Sequence, residues 1–292
     1  MSQLLVSSAF RQNLPTMRLP ILTLTALLAM ATACGTPDAT APEATAPATT
    51  ERYAALNPAD HLPAPIAAVY RAHAARVPAG RDLSYDLALT FGGRERFRGE
   101  VRHDAATSRI AMTRAGDGAS LRYDGTRVAV LPDTAAWPRA RFAVFTWPYF
   151  GAAGFKLADP GTQWAPMQTY GWADGQTQPG AKLTFASGTG DAPDDYYVAF
   201  ADAAGRLDGL AYVVTFGKDA AAAAAAEPHA IRYSDYREVG GVPVAHRWDF
   251  YMWDPETGLG RALGFADLSD VAWVGREASA YATAGGAEVP AP

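Results

Sequence analysis

Cysteine is almost missing from this chain: its 292 residues include one, Cys34. No internal disulfide can form, and no Cys-x-x-Cys metal or redox pair is present. Long apolar runs are also missing. The apolar stretch from Leu19 to Met30 falls short of the roughly 20 residues that a membrane-spanning helix needs. Basic charge is sparse, with 25 Lys and Arg against 30 Asp and Glu, a net charge of −5. No Lys/Arg cluster marks a phosphate track, so nucleic acid is not expected as a partner. The nearest approach, Arg94, Arg96, Arg98 and Arg102, alternates along a strand and is diluted by Glu95 and Glu100. Catalytic signatures are lacking as well: there is no Gly-x-Ser-x-Gly elbow, no His-Glu-x-x-His and no phosphate loop. The five histidines are His61, His73, His103, His229 and His246, and no two stand four apart on a helix, so a zinc site would need wholly non-local ligands. No catalytic residue, metal or cofactor is expected.

The one cysteine has a telling position. Met17 and Arg18 supply a basic start, Leu19 to Met30 an apolar core, and Ala31, Thr32 and Ala33 a small-residue junction directly before Cys34. A core of that length suits an export signal of about 7 to 15 residues. The pattern reads as a bacterial lipoprotein signal over 1–34, with translation starting at Met17 and Cys34 as the lipidated first residue of the mature chain. Gly35 after the cysteine, by analogy with such proteins, points to the outer membrane, facing the periplasm. From 35 to 55 the chain is mainly Ala, Thr and Pro, too poor in apolar groups to order itself, and reads as a tether. As a random coil it would hold the folded part of the chain within about 25 Å of the membrane.

Residues 56–276 read as a single β-rich domain. Leu62, Ile66, Val69, Tyr70, His73 and Val77 recur at helical spacing behind Pro63 and Pro65, and Pro78 and Gly80 stop the helix. Strict alternation comes next, with Leu83, Tyr85, Leu87, Leu89 and Phe91 on one face, then a turn at Gly92-Gly93. Asp124-Gly125 joins two short strands as a hairpin. Tyr196, Val198 and Phe200 lead through Ala203-Ala204-Gly205 to Leu210, Tyr212, Val214 and Phe216; the Ala220–Ala226 run then interrupts as an insertion in a hairpin. His229–Glu238 and Val242–Trp253 pair across Gly240-Gly241, and a last strand pair covers Leu263–Val274. The fold class is mainly β with one N-terminal helix: about ten or eleven strands in a curved antiparallel sheet, or half-open barrel, wrapped around the helix. Residues 277–292 read as a disordered tail.

The stretch 137–180 is different. It holds Trp137, Phe142, Phe145, Trp147, Tyr149, Phe150, Phe155, Trp164, Tyr170 and Trp172, broken by five prolines. A short helix over Pro138–Thr146 is expected within an otherwise irregular segment. A loop so long and so aromatic serves as a plug over the sheet or as a lid over a ligand cavity.

The order of signal, tether, N-terminal helix and antiparallel strands, ending in the hairpin Tyr233–Tyr236, Gly240–Pro243 and Trp248–Tyr251, resembles the lipoprotein-carrier (LolA/LolB-like) superfamily. The resemblance spans Pro63 to Val274 and departs from the family in the Trp-rich middle segment. It implies an open barrel whose apolar interior binds acyl chains or other hydrophobic ligands.

The leading expectation is therefore a lipid-anchored envelope protein, monomeric and not an enzyme. Its concave face would be lined by Leu87, Leu89, Phe200, Val214, Trp248 and Phe250, with His246 on the same strand face and Trp147 and Trp164 above it. That face would accept a lipid or lipoprotein acyl chain. His246 also reads as a hydrogen-bonded core residue, and Asp191, Asp194 and Asp195 as a turn before a strand. A second expectation is a structural or docking lipoprotein whose Trp- and Tyr-rich segment binds a glycan or a protein, which requires those rings to be exposed. An envelope hydrolase is the third and has no motif behind it.

Overall fold

The computed structural model describes residues 58–291, apart from 105, 187–189 and 193. Cys34, the expected export signal and the expected 35–55 tether lie outside the described residues.

Fourteen antiparallel strands form one sheet among the described residues. β1 (Arg81–Phe91), β2 (Arg94–Asp104), β3 (Arg109–Arg114), β4 (Ser120–Tyr123) and β5 (Val128–Leu131) form one meander. β8 (Thr177–Phe185), β9 (Tyr197–Ala201), β10 (Leu207–Tyr212), β11 (His229–Val239), β12 (Val242–Asp254) and β13 (Gly258–Gly275) form a second. The two are joined where β1 pairs with β13, from Arg81 opposite Gly275 to Phe91 opposite Gly264. β6 (Thr162–Trp164) and β7 (Gln168–Gly171) both pair with β8, and β14 (Ala287–Val289) pairs with β5. The order begins at β14 and ends at β6, so the sheet curves without closing.

Local chemistry explains the hairpins. Gly92-Gly93 and Gly240-Gly241 all take positive φ, between 58° and 84°, the left-handed conformation that a two-residue turn demands and glycine adopts without strain. The alternation in β1 is real: Leu83, Tyr85, Leu87 and Leu89 are each at most 1% exposed. The Ala-rich insertion between β10 and β11 holds a single helical turn, α3 (Ala220–Ala224), capped by Asp219, whose carboxylate accepts the Ala222 N–H at 2.8 Å.

The helices differ more from expectation. α1 (Ala64–His73) is the N-terminal helix, with Pro63 as its cap and Pro65 in its first turn. The element occupying most of the concave face is instead α2 (Ala140–Lys156), 17 residues long, in place of the short helix expected over Pro138–Thr146. Pro148 does not end it. A proline loses one backbone hydrogen bond and crowds the preceding turn, but α2 is held from many directions by its apolar side chains. Phe145 packs edge-on against Tyr123 of β4; Tyr149 packs on Tyr197 of β9, and Phe150 on Phe250 of β12 and Tyr212 of β10. The Tyr233 hydroxyl donates to the Phe150 carbonyl at 2.9 Å. Gly151 and Gly154 let the helix settle closely. A Cβ at Gly151 would stand 2.5 Å from the Tyr85 hydroxyl and 3.1 Å from Trp248, and one at Gly154 would stand 2.8 Å from the His73 ring.

Two further expectations are corrected. The last strand pair over Leu263–Val274 is one 18-residue strand, because the turn before it comes earlier: Asp254 accepts the N–H groups of Glu256 and Thr257, and β13 begins at Gly258. The tail is not free either. Ala278–Tyr281 forms a helical turn that buries Tyr281 to 1% exposure, and β14 comes after it.

Candidate functional site

The concave face expected to receive a ligand is largely filled. Leu87, Leu89, Trp248 and Phe250 are buried in one continuous core with α2, each at most 1% exposed. Trp248 meets Tyr85 edge-on at 6.5 Å, and Phe250 meets Phe91 at 5.4 Å. Trp147 is half-buried among Phe91, Phe142, Phe150 and Phe250. Trp164 donates its indole N–H to the Leu157 carbonyl at 3.0 Å. His246 is buried, and its Nδ1 donates to the Val244 carbonyl at 3.0 Å, the arrangement of a packed core histidine.

Phe200 requires a correction. It lies on the opposite side of the sheet, in a separate cluster with Trp172, Val198, Ala211, Ala230 and Trp253. Trp172 stacks on it at 3.9 Å and anchors its own indole N–H to Asp208 at 2.8 Å. Alternation along β9 places Val198 and Phe200 on one face and Tyr197 and Ala199 on the other. The latter pair faces the main core.

Space remains at one flank of α2, where β8, β9 and the chain after β10 curve past it. A cavity of about 220 Å³ is bounded there by Phe142, Phe145, Tyr149 and Phe150 of α2, and by Phe185, Tyr197, Tyr212, Val214 and Phe216 of the sheet side. Of the expected ligand-binding residues, Val214 alone is part of this lining. The α2 residues were legible as aromatics, and Phe142, Phe145 and Tyr149 have helical spacing, but Pro148 argued against reading them as one helix face.

The cavity also has a polar side, formed by Lys156, Asp159, Asp191, Asp195 and their neighbours. Lys156 is 6% exposed; its ammonium pairs with Asp159 and donates to the Ser108 hydroxyl at 2.8 Å. Asp191 is held by Arg141, which also donates to the Val289 carbonyl at 3.2 Å. Asp195 uses one oxygen to accept both the Thr215 N–H, at 2.6 Å, and the Thr215 hydroxyl, at 2.7 Å. Burial raises the Asp195 carboxyl above its ordinary pKa against those two hydrogen bonds, and raises Asp159 against its lysine partner. The phenols of Tyr149, Tyr197 and Tyr212 are raised by burial too, so they stay protonated as donors at neutral pH.

Several solved structures are similar to this chain. A LolA superfamily protein from Nitrosomonas europaea matches at a TM-score of 0.48 and 9% identity, over 75% of this chain and 96% of that one. A DUF1329 family protein from Desulfovibrio piger matches at 0.41 and 12%, over 75% and 96%. A Vibrio parahaemolyticus domain, described as an outer membrane lipoprotein-sorting protein, matches at 0.42 and 10%, over 71% and 92%. No protein-family model matches the chain, and no curated protein does. Likeness at this level concerns the course of the chain and carries no residue role across.

The middle segment is not an exposed aromatic platform. Trp172 is 2% exposed, the other rings of 137–180 are buried or half-buried, and Phe265 is the exposed large apolar side chain among the described residues.

Proposed function

We propose that this protein is a lipid-anchored lipoprotein of the bacterial envelope, held at the outer membrane through Cys34 and facing the periplasm. As a monomer, it binds a hydrophobic ligand such as a lipid or acyl chain, without catalysing a reaction. The observation that carries the reading is the aromatic-walled cavity between α2 and β8–β10, beside a core that is largely filled among the described residues. At about 220 Å³ it is smaller than the roughly 300–1,000 Å³ typical of sites for drug-sized ligands. It suits a single chain segment or ring rather than a bundle of acyl chains. Burial of apolar surface would drive binding at about 25 cal/mol per Å², from which association and ordering costs must be subtracted.

Native mass spectrometry of the Cys34→Ser protein recovered from a bacterial envelope, with lipid extraction, tests this. A stoichiometric co-purifying lipid or acyl chain supports it. A clean apo mass that does not shift on adding fatty acids, alkylamines or alkanols sinks it. The same variant tests the anchor: it should leave the membrane fraction, and retention there would rule out Cys34 as the point of attachment.

A further inference from the structure

The polar side of the cavity restricts what its occupant can be. Of the described side chains lining the cavity, Lys156 is the only cation, and its ammonium is already engaged by Asp159 and Ser108. Asp191 is neutralised by Arg141. Asp195 is left with no cation in contact among the described residues, and one of its carboxylate oxygens accepts no hydrogen bond there. Lys218, which acts electrostatically on it, is exposed.

The walls point the same way. Tyr149 and Tyr197 lie 5.3 Å apart by ring centroid, Phe185 and Tyr197 5.9 Å, and Phe150 and Tyr212 4.9 Å. Asp195 lies close enough to Tyr149 and Tyr197 to interact electrostatically with both phenols. The hydroxyls of Tyr149, Tyr197 and Tyr212 make no hydrogen bond among the described residues, although Tyr212 is only 3% exposed. Electron-rich aromatic side chains beside a carboxylate with no ion-pair partner in contact among the described residues are the chemistry that holds organic cations. An anionic headgroup would meet a like charge and no free cation, and would lose its hydration without replacement.

We propose that the occupant of this cavity carries a cationic amine or quaternary ammonium group next to its apolar part, recognised by the aromatic walls and Asp195. A free fatty acid is then not the ligand. The inference rests on the reading of this cavity as a ligand site and makes it specific in charge.

Isothermal titration of the Cys34→Ser protein with octyltrimethylammonium, octanol and octanoate, each below its micelle concentration, tests it. The ammonium compound is expected to bind at least about tenfold more tightly than octanoate, with octanol between them. Asp195→Asn should cut the ammonium-to-octanoate ratio several-fold while leaving octanol affinity unchanged. Asp194→Asn, exposed one residue away, should leave the ratio as it was, which separates the site from general attraction to an acidic protein. Octanol binding with octanoate equal to or tighter than the ammonium compound would overturn the charge assignment and leave the cavity reading standing. If none of the three binds, both fall. The ratio for the Cys34→Ser protein itself decides even if adding Asp195→Asn prevents folding.

Discussion

Gly151 sets the distance between α2 and the sheet, since a methyl group there would press on the Tyr85 hydroxyl and the Trp248 ring. Both neighbours are at most 1% exposed and have little room to yield. Gly151→Ala is therefore expected to lower stability by about 1–3 kcal/mol despite alanine's better helix propensity, as read from the urea midpoint. An unchanged or raised midpoint would mean that α2 sits further out. Buried histidines act at the same scale. Burial lowers His73 to about 4; His103 falls to about 3, through burial first and the nearby Lys156 charge second. In the unfolded chain both titrate near 6.5. As pH drops below that value the unfolded chain takes up protons that the folded one refuses. The contribution of these rings to stability is thus complete above about pH 6.5 and shrinks down to about pH 4 for His73 and about pH 3 for His103. His103→Phe should flatten the fall in unfolding free energy between about pH 6.5 and 4. A slope as steep as the wild type's would refute the role given to that ring.

At the level of elements, what could be read from the sequence depended on how local the determining force is. The hairpins at Gly92-Gly93, Asp124-Gly125 and Gly240-Gly241 were legible because turn residues fix strand pairing within a few positions. α2 was not, because its continuity through Pro148 depends on strands from β4 to β12 that close around it. β9 shows a subtler limit. Its alternation correctly divides Tyr197 and Ala199 from Val198 and Phe200, but period two cannot say which side faces in when both sides are covered. Trp172, delivered by the chain just after β7, decides that Phe200 belongs to the outer cluster. Phe200→Ala should accordingly cost about 3–5 kcal/mol while leaving the affinity of the cavity for octanol unchanged in the fraction that folds. A variant that loses octanol binding while keeping its stability would place Phe200 in the cavity after all.

Across the whole molecule, the segment beyond β13 ties the start of β1 to the end of β2. Asp82 at the start of β1 and Asp104 at the end of β2 have side chains with no exposure, and both depend on Arg276 just beyond β13. The Arg276 guanidinium reaches Asp82 at 3.1 Å and Asp104 at 2.8 Å; Arg102 and the Tyr281 hydroxyl complete Asp82, and Arg109 completes Asp104. Burial alone would raise Asp104, but hydrogen bonds from Thr107 and Arg109 and the Arg276 charge hold it below the usual carboxylate range. None of this was visible in an Ala- and Gly-rich C-terminus with a lone tyrosine, because the partners are more than 170 residues away in sequence. Removing one partner from a buried pair strands charge in a poorly solvated place, at a cost of about 3–5 kcal/mol. Arg276→Ala should therefore destabilise the fold by that order, far more than the loss of an exposed pair such as Arg98 with Glu95, about 0–1 kcal/mol. Protease cleavage should begin in the tail, since Tyr281 and β14 lose the contact that leads the chain back to β5. Equal urea midpoints for Arg276→Ala and Arg98→Ala would show the tail to be ornamental to stability, and the order seen from Ala278 to Val289 would then need another cause.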